Sequence, residues 1–186
     1  MSVSKLKQRN SKKADTKLSD IAVGDTAKIG KFEMIVLEQH DGEAAVLLVD
    51  VYGKDTTFGK NNNYNGSDVD KKCMEFAGKL AKIIGWENIV LHKVGLTTDD
   101  SLKDYGTVER RASLLTADRY RRYVEILDKH KLDKWWWLAT AHGTDKHGNN
   151  NWGLCVSRSG YFYYGYYNRG GVRPFCILKS NIFVSK

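Results

Sequence analysis

Residues 134–179 read KWWWLATAHGTDKHGNNNWGLCVSRSGYFYYGYYNRGGVRPFCILK. Four runs in this stretch, KWWWLAT, WGLCVS, YFYYGYY and VRPFCILK, are dense in aromatic and β-branched residues. Gly, Asn and Ser part them, which is the pattern of short strands. Pro174 is the one proline of the chain and opens the last run, where a strand pattern tolerates it as an edge or a first residue. A strand turns alternate side chains to opposite faces. In YFYYGYYN, Tyr161, Tyr163, Gly165 and Tyr167 therefore share one face, and Phe162, Tyr164 and Tyr166 share the other. A core occupies one such face, so the second set of rings is expected at the surface or against loops.

The aromatic excess is local. Residues 135–168 hold 10 of the 21 aromatic residues: Trp135, Trp136, Trp137, Trp152, Tyr161, Phe162, Tyr163, Tyr164, Tyr166 and Tyr167. Tyr and Trp give large, stiff contact area with a polar tip, and binding surfaces favour them for that reason. Asn149, Asn150, Asn151, Ser157, Ser159 and Asn168 add adaptable hydrogen bonding. The competing reading is an aromatic-rich β core with exposed turns. Of Trp135 to Trp137, one or two are expected to be buried.

Charge separates the chain into three parts. Residues 1–17 carry +5, residues 134–186 carry +6, and the chain between them carries −3. The first part lacks aromatics and has few sizeable apolar groups, so it reads as a disordered basic tail. Such a tail serves either as a weak anchor for nucleic acid or another polyanion, or as a solubilising segment. Residues 18–186 then form a single domain. After Asp133 the only acid is Asp145, too few oxygens for a calcium site or a paired-carboxylate glycosidase site within this segment.

Working back toward the N-terminus, TAKIG, KFEMIVLEQ and EAAVLLVD read as strands, with Asp41-Gly42 as a hairpin turn. In the second of these, the Phe32, Met34 and Val36 side is the more apolar. Residues 53–66 are a polar loop with Asn61-Asn62-Asn63. Ser67 or Asp68 then caps a helix whose stripe is Val69, Cys73, Phe76, Ala77, Leu80 and Ile84, closed by Gly85. Residues 89–94 suit a short strand, and Gly95 to Gly106 a loop. Thr116 caps a second helix with Tyr120, Val124 and Leu127 on one face, while Arg119, Arg121 and Arg122 look mostly outward.

Composition excludes several classes. The 186 residues suffice for a core without a disulfide framework. No run of 18 apolar residues spells a membrane helix, and the N-terminus has no apolar segment of a signal peptide. Three scattered cysteines, Cys73, Cys155 and Cys176, make neither a zinc motif nor a disulfide scaffold. Cys155 and Cys176 fall on two expected strands and are candidate neighbours. His142, Asp145 and His147 share a loop, but their spacing is not a metal-ligand pattern. No Ser-His-Asp or Cys-His signature appears. No catalytic residue, metal or cofactor is expected.

Three stretches carry a resemblance: GDTAKIGKFEMIVLEQHDGEAAVLL, KWWWLATAH and GGVRPFCILK. Over about residues 20–179 they are similar to a family of phage and mobile-element domains of unassigned function, with a Trp-Trp-Leu … Gly-Val-Arg-Pro pattern. That family resembles the C-type-lectin fold. Its closing motif also resembles those of the formylglycine-generating-enzyme-like group and of the variable receptor-binding proteins of diversity-generating retroelements. The resemblance implies an α+β, C-type-lectin-like fold of antiparallel sheets with two helices. It implies structural roles for Gly171, Val172, Arg173 and Pro174, and core positions for Trp136 and Leu138. By analogy with the retroelement proteins, the ligand surface would fall between His142 and Arg169. Cys155 and Cys176 lack the context that formylglycine-generating chemistry needs, so that activity is not implied.

The expected function is a non-enzymatic ligand-binding module of phage or mobile-element origin that recognises a protein or glycan surface, partly anionic, without calcium. Its contact residues would be His142, Asn149, Asn150, Asn151, Trp152, Tyr161, Tyr163, Tyr164, Tyr166, Tyr167, Asn168 and Arg169. The alternative is an intracellular nucleic-acid-binding or anti-defence protein, with exposed rings stacking on bases and residues 1–17 adding affinity. An enzyme built on the His142–His147 loop or on Cys155 and Cys176 is the third reading. The expected location is the bacterial cytoplasm or a virion, with no membrane association.

Overall fold

A computed structural model describes residues 15–148, 150–166 and 169–186, with Tyr166 described by its backbone alone. The fold is mixed α+β, with mostly antiparallel sheets and few helices. Its centre is a five-stranded antiparallel sheet. The first three strands in sheet order are β2 (Thr26–Ile29), β3 (Phe32–His40) and β4 (Glu43–Leu48). Beside β4 lies β11 (Phe175–Lys179) from the far end of the chain, followed by the short β5 (Ile89–Val90). The β3–β4 turn is the expected Asp41-Gly42, with φ of 48° and 78°. Two positive φ values suit a two-residue hairpin, and glycine takes the second without penalty.

Helix α1 (Asp68–Ile84) runs from a Ser67 cap, which accepts a hydrogen bond from Asp70 N, to Gly85 at φ 82°. Its Val69, Cys73, Phe76, Ala77 and Leu80 are buried against Phe32, Met34 and Val36 of β3 and Ala44 and Val46 of β4. Each large side chain fully buried this way contributes about 1.5–3 kcal/mol. A bidentate pair, Arg110 Nε to Asp70 Oδ1 at 2.8 Å and Nη2 to Oδ2 at 2.7 Å, ties α1 to the small hairpin of β6 (His92–Gly95) and β7 (Thr107–Arg110).

The other face of the central sheet is equally apolar, which differs from the one-sided reading of β3. Ile35, Leu37, Ala45, Leu47 and Phe175 form a second core with Tyr120, Tyr123 and Leu127. A bulge after Val36 shifts the pairing of β3 with β4 by one residue. The second helix is broken into α2 (Ala117–Arg122) and α3 (Val124–Leu127) at Tyr123, whose φ −107° and ψ 13° leave the helical region. Val124, expected on the inner face, is consequently exposed.

The tail boundary also moves. Thr16 and Lys17, expected in the disordered segment, form β1 (Thr16–Lys17) and pair with Val184 and Phe183 of β12 (Phe183–Val184). Backbone hydrogen bonding with the last strand orders these residues where their own polarity cannot. Asp15, also in the expected tail, donates its N–H to Val184 O (3.2 Å), and residues 1–14 lie outside the described residues.

Candidate functional site

The aromatic segment folds as a three-stranded antiparallel sheet in the order β10 (Phe162–Tyr166), β9 (Trp152–Val156), β8 (Trp136–Ala141). β8 is buried throughout. Trp136 and Leu138 enter one core, and Trp137 and Ala139 the other. Outside its own sheet, Trp137 N donates to Gly171 O (3.0 Å) and Gly171 N to Trp135 O (3.2 Å), so the Trp-Trp-Leu and Gly-Val-Arg-Pro stretches are bonded to each other. Arg173 is buried in the same knot. Its guanidinium donates to the carbonyls of Leu48 (2.7 Å), Val49 (2.9 Å) and His130 (3.3 Å), and it stacks over Trp136 at 5.2 Å. Burial lowers its pKa to about 10, still protonated at neutral pH.

β10 is the outer strand, and its fit to β9 rests on an absence of side chain. Gly165 pairs with Gly153, and both face the Trp137 ring. A Cβ on Gly165 would lie 2.5 Å from that ring. Around this slot the other rings point away from the cores. Tyr161 is 75% exposed, Tyr163 56%, Tyr164 41% and Trp152 39%. Phe162 is the exception, packing against Tyr120 (5.2 Å between centroids) under the guanidinium of Arg121 (5.0 Å). Tyr163 projects from the face opposite Phe162 and Tyr164, so the exposed rings make a ridge along the sheet edge rather than a flat platform.

The expected contact residues fall as follows. Trp152, Tyr161, Tyr163 and Tyr164 are exposed on β9, β10 and the turn between them, and Arg169 is exposed just beyond β10. Asn150 and Asn151 are half-buried in the loop leading into β9, and His142 is half-buried at the end of β8. Tyr166 lies opposite Trp152 in the β9–β10 ladder. Asn149, Tyr167 and Asn168 lie outside the described residues.

Acidic side chains reach this region from far away in the chain. The loop between β6 and β7 docks on β8 through Asp99 N to Ala141 O (2.9 Å) and Asp100 N to His142 O (3.1 Å). Tyr164 then donates to Asp99 Oδ2 (2.9 Å), and its ring lies 4.6 Å from that of His142. That carboxylate raises the pKa of the Tyr164 phenol. His147 Nδ1 sits 2.8 Å from Asp100 Oδ2, and Lys146 and Thr144 bond Asp104. The Thr98 hydroxyl, with His147, holds Asp100 below the usual carboxylate range, and Lys146 does the same for Asp104. By sequence the segment that carries these rings is cationic, +6 over residues 134–186. The nearest ionic partner of Tyr164 is instead an acid, because acid content counted along the segment misses what the fold brings across it.

Asn62, expected in an open polar loop, is buried and holds this corner together. Its Nδ2 donates to the carbonyls of Gly143 (2.9 Å) and Trp152 (2.9 Å), and its Oδ1 accepts from Tyr105 (2.7 Å). No local signal in Asn61-Asn62-Asn63 distinguishes it.

Next to Asp99 opens a polar cleft of about 370 Å³ between the β6–β7 loop and α2. Its cations are Lys93, Arg119 and Arg121. Arg119, expected to look outward, is half-buried with its guanidinium over Phe175 at 4.7 Å, and desolvation lowers its pKa. A larger cleft of about 680 Å³ lies elsewhere, where α1 meets β3 and β4; its rim carries Lys31, Lys54, Lys72 and Lys79, and it includes none of the exposed rings of β9 and β10.

His142, Asp145 and His147 are not brought together as a ligand set. Among the described residues no group of three or more His, Cys, Asp or Glu is placed to hold a metal ion. Cys155 and Cys176 sit in different sheets, and burial raises the pKa of the Cys176 thiol. All three thiols are free and buried, and burial pushes Cys155 up to about 12. No helix among the described residues is long and apolar enough to cross a membrane. No protein-family model, curated protein or solved structure matches this chain.

Proposed function

We propose that this chain is a non-enzymatic ligand-binding module of phage or mobile-element origin, with a C-type-lectin-like fold, working in the bacterial cytoplasm or in a virion. It recognises a protein or glycan surface through the ridge of β9 and β10. The observation that carries the reading is the exposure of Tyr161, Tyr163, Tyr164 and Trp152 on an outer strand and its neighbour. Exposed rings grouped this way mark interaction sites, whereas scattered ones need no explanation. Thiols held protonated by burial support binding rather than thiolate chemistry. The lectin-like fold is supported by the pairing of the first and last strands and by the bonds joining the two resemblance motifs.

The nucleic-acid reading fares less well at this face. A single-strand site needs a flat stacking platform beside cations. Here the rings straddle an edge, and Asp99, Asp100 and Asp104 stand behind Tyr164 and His142. Arg121 and Lys146 are already engaged by Asp99 and Asp104, so these cations are not free to meet a phosphate backbone beside the rings.

The test pairs a Tyr161→Ala/Tyr163→Ala double variant with the parent protein on a glycan array and on immobilised bacterial envelope proteins. The parent is retained by at least one surface. The variant loses that retention while its melting temperature stays unchanged, since both side chains are exposed. Retention by neither surface, together with an electrophoretic shift of single-stranded DNA at low salt, replaces this reading with the alternative.

A further inference from the structure

The cleft of about 370 Å³ beside Tyr164 has a lining that selects its occupant. Side-chain hydroxyls dominate: Thr98, Ser101, Thr116 and Thr140 line it, and Ala117 is the only apolar side chain among the described lining residues. A peptide side chain would find no apolar floor there. The volume is at the lower end of small-molecule sites, the size of a compact polar group rather than an extended chain.

The charge inside is unbalanced. Arg121 engages both lining acids, Asp118 at 2.9 Å and Asp99 at 3.5 Å. Lys93 and Arg119 are left with no carboxylate at ion-pair distance among the described residues. Arg119 is the telling one. Its Nη2 donates to Lys93 O at 3.1 Å, its Nη1 is buried without a partner among the described residues, and its plane rests on Phe175. The one carboxylate among the described residues whose charge reaches it, Glu38, is bonded to Arg122 and Tyr123; a half-buried cation with no directly paired acid is costly, and a planar guanidinium pairs best with a carboxylate. Ser101, on the cleft wall, takes φ 70° in the turn closed by its N–H on Thr98 O (2.9 Å). The cleft meets the aromatic ridge at Asp99, which Tyr164 and Arg121 share.

We infer that this cleft binds the carboxylate-bearing ring of an acidic saccharide, of the uronic-acid or sialic-acid class. The carboxylate meets Arg119 and Lys93. The ring hydroxyls meet Asp99 and the Thr and Ser hydroxyls, and the neighbouring sugar lies against Tyr164. This rests on the ridge being a ligand surface and narrows the protein or glycan of that reading to an acidic glycan.

The experiment is a backbone-amide NMR titration of the whole chain with glucuronate, N-acetylneuraminate, glucose, inorganic phosphate and a glutamate hexapeptide. Glucuronate or N-acetylneuraminate is expected to shift the amides of Thr98, Ser101, Thr116 and Arg119, and glucose to leave them in place. Arg119→Gln raises the dissociation constant about tenfold or more, as loss of a charge-assisted pair requires. Lys93→Gln, an exposed position that leaves the fold intact, weakens the acids and not glucose. No shift with either acid overturns the inference. So does an equal response to glucose or phosphate, or a response to the hexapeptide alone. Failure of the ridge reading is separate: there the cleft amides still shift, while Tyr161→Ala/Tyr163→Ala leaves binding of an acidic oligosaccharide unchanged.

Discussion

Replacing Gly165 by alanine tests how β10 is seated. The added carbon would stand 2.5 Å from Trp137 Cη2 and 2.6 Å from Cζ3, where carbon atoms prefer about 3.5–4.0 Å. The indole has nowhere to retreat. It is fully buried, its Nε1 donates to Thr56 O at 3.0 Å, and Phe58 and Trp135 stand edge-on with centroids at 5.3 and 4.9 Å. Overpacking of this kind costs about 1–3 kcal/mol. Alanine returns about 0.4–1 kcal/mol by restricting the unfolded chain. Taking the middle of each range leaves a net loss of about 1.3 kcal/mol, which lowers the melting temperature by roughly 3–5 °C for a chain of this length. Two glycines calibrate the assay. Gly78→Ala, in α1 with nothing within 4 Å, should gain about 0.5–1 kcal/mol. Gly153→Ala, with its nearest contacts at 3.3 Å, should lose less than Gly165→Ala. In a Trp137→Phe background the Gly165→Ala penalty should shrink, a coupling that a double-mutant cycle reads directly. A Gly165→Ala protein melting at or above the parent would refute the idea that the glycine pair makes room for the indole.

Four further outcomes are expected. Arg173→Met strands the carbonyls of Leu48, Val49 and His130 and should cost about 3 kcal/mol or more in urea unfolding; a loss well below 1 kcal/mol contradicts that role. Asn62→Ala should cost about 2–4 kcal/mol and speed amide exchange across residues 142–152, and unchanged exchange there counts against Asn62 as the tie. Burial, with the nearby Arg119 charge, pushes His92 down to about 4 from an unfolded value of about 6.5. Its folded value being the lower, the neutral ring's contribution is complete above about pH 6.5 and is lost as pH falls through 4, on the order of 3 kcal/mol; His92→Gln should flatten that part of the stability curve, and an unaltered slope speaks against it. Finally, Cys73, Cys155 and Cys176 should resist alkylation at pH 8 in the native protein and react in denaturant; rapid native labelling would mean that the cores open.

What could be read in advance was local. The Ser67 cap, the apolar stripe from Val69 to Leu80 and Gly85 outline α1, because a helix is written in its own residues. Asp41-Gly42 outlines the β3–β4 turn for the same reason. The four C-terminal runs became β8 to β11, though β11 starts at Phe175, since Arg173 is spent on carbonyls of β4 and its neighbours. The surplus of rings in YFYYGYYN pointed to exposure, and Tyr161, Tyr163 and Tyr164 show it. The missed features all depend on distant pairs. The acids behind Tyr164 arrive on a loop some 60 residues upstream, Arg119 is drawn inward by Phe175 of the last long strand, and Thr16 is ordered by Val184. Asn62 looks like any loop asparagine until the carbonyls of Gly143 and Trp152 stand before it.

The outer strand of the small sheet is held at three of its residues: Phe162 packs on Tyr120, Tyr164 bonds Asp99 and Gly165 leaves room for Trp137. Its backbone ladder to β9 adds to these, while Tyr161 just before it and Tyr163 within it reach into water. Positions 161 and 163 can therefore change without disturbing the scaffold beneath. Substitution at those two positions changes the chemistry presented at the sheet edge while the contacts that hold the strand stay as they are.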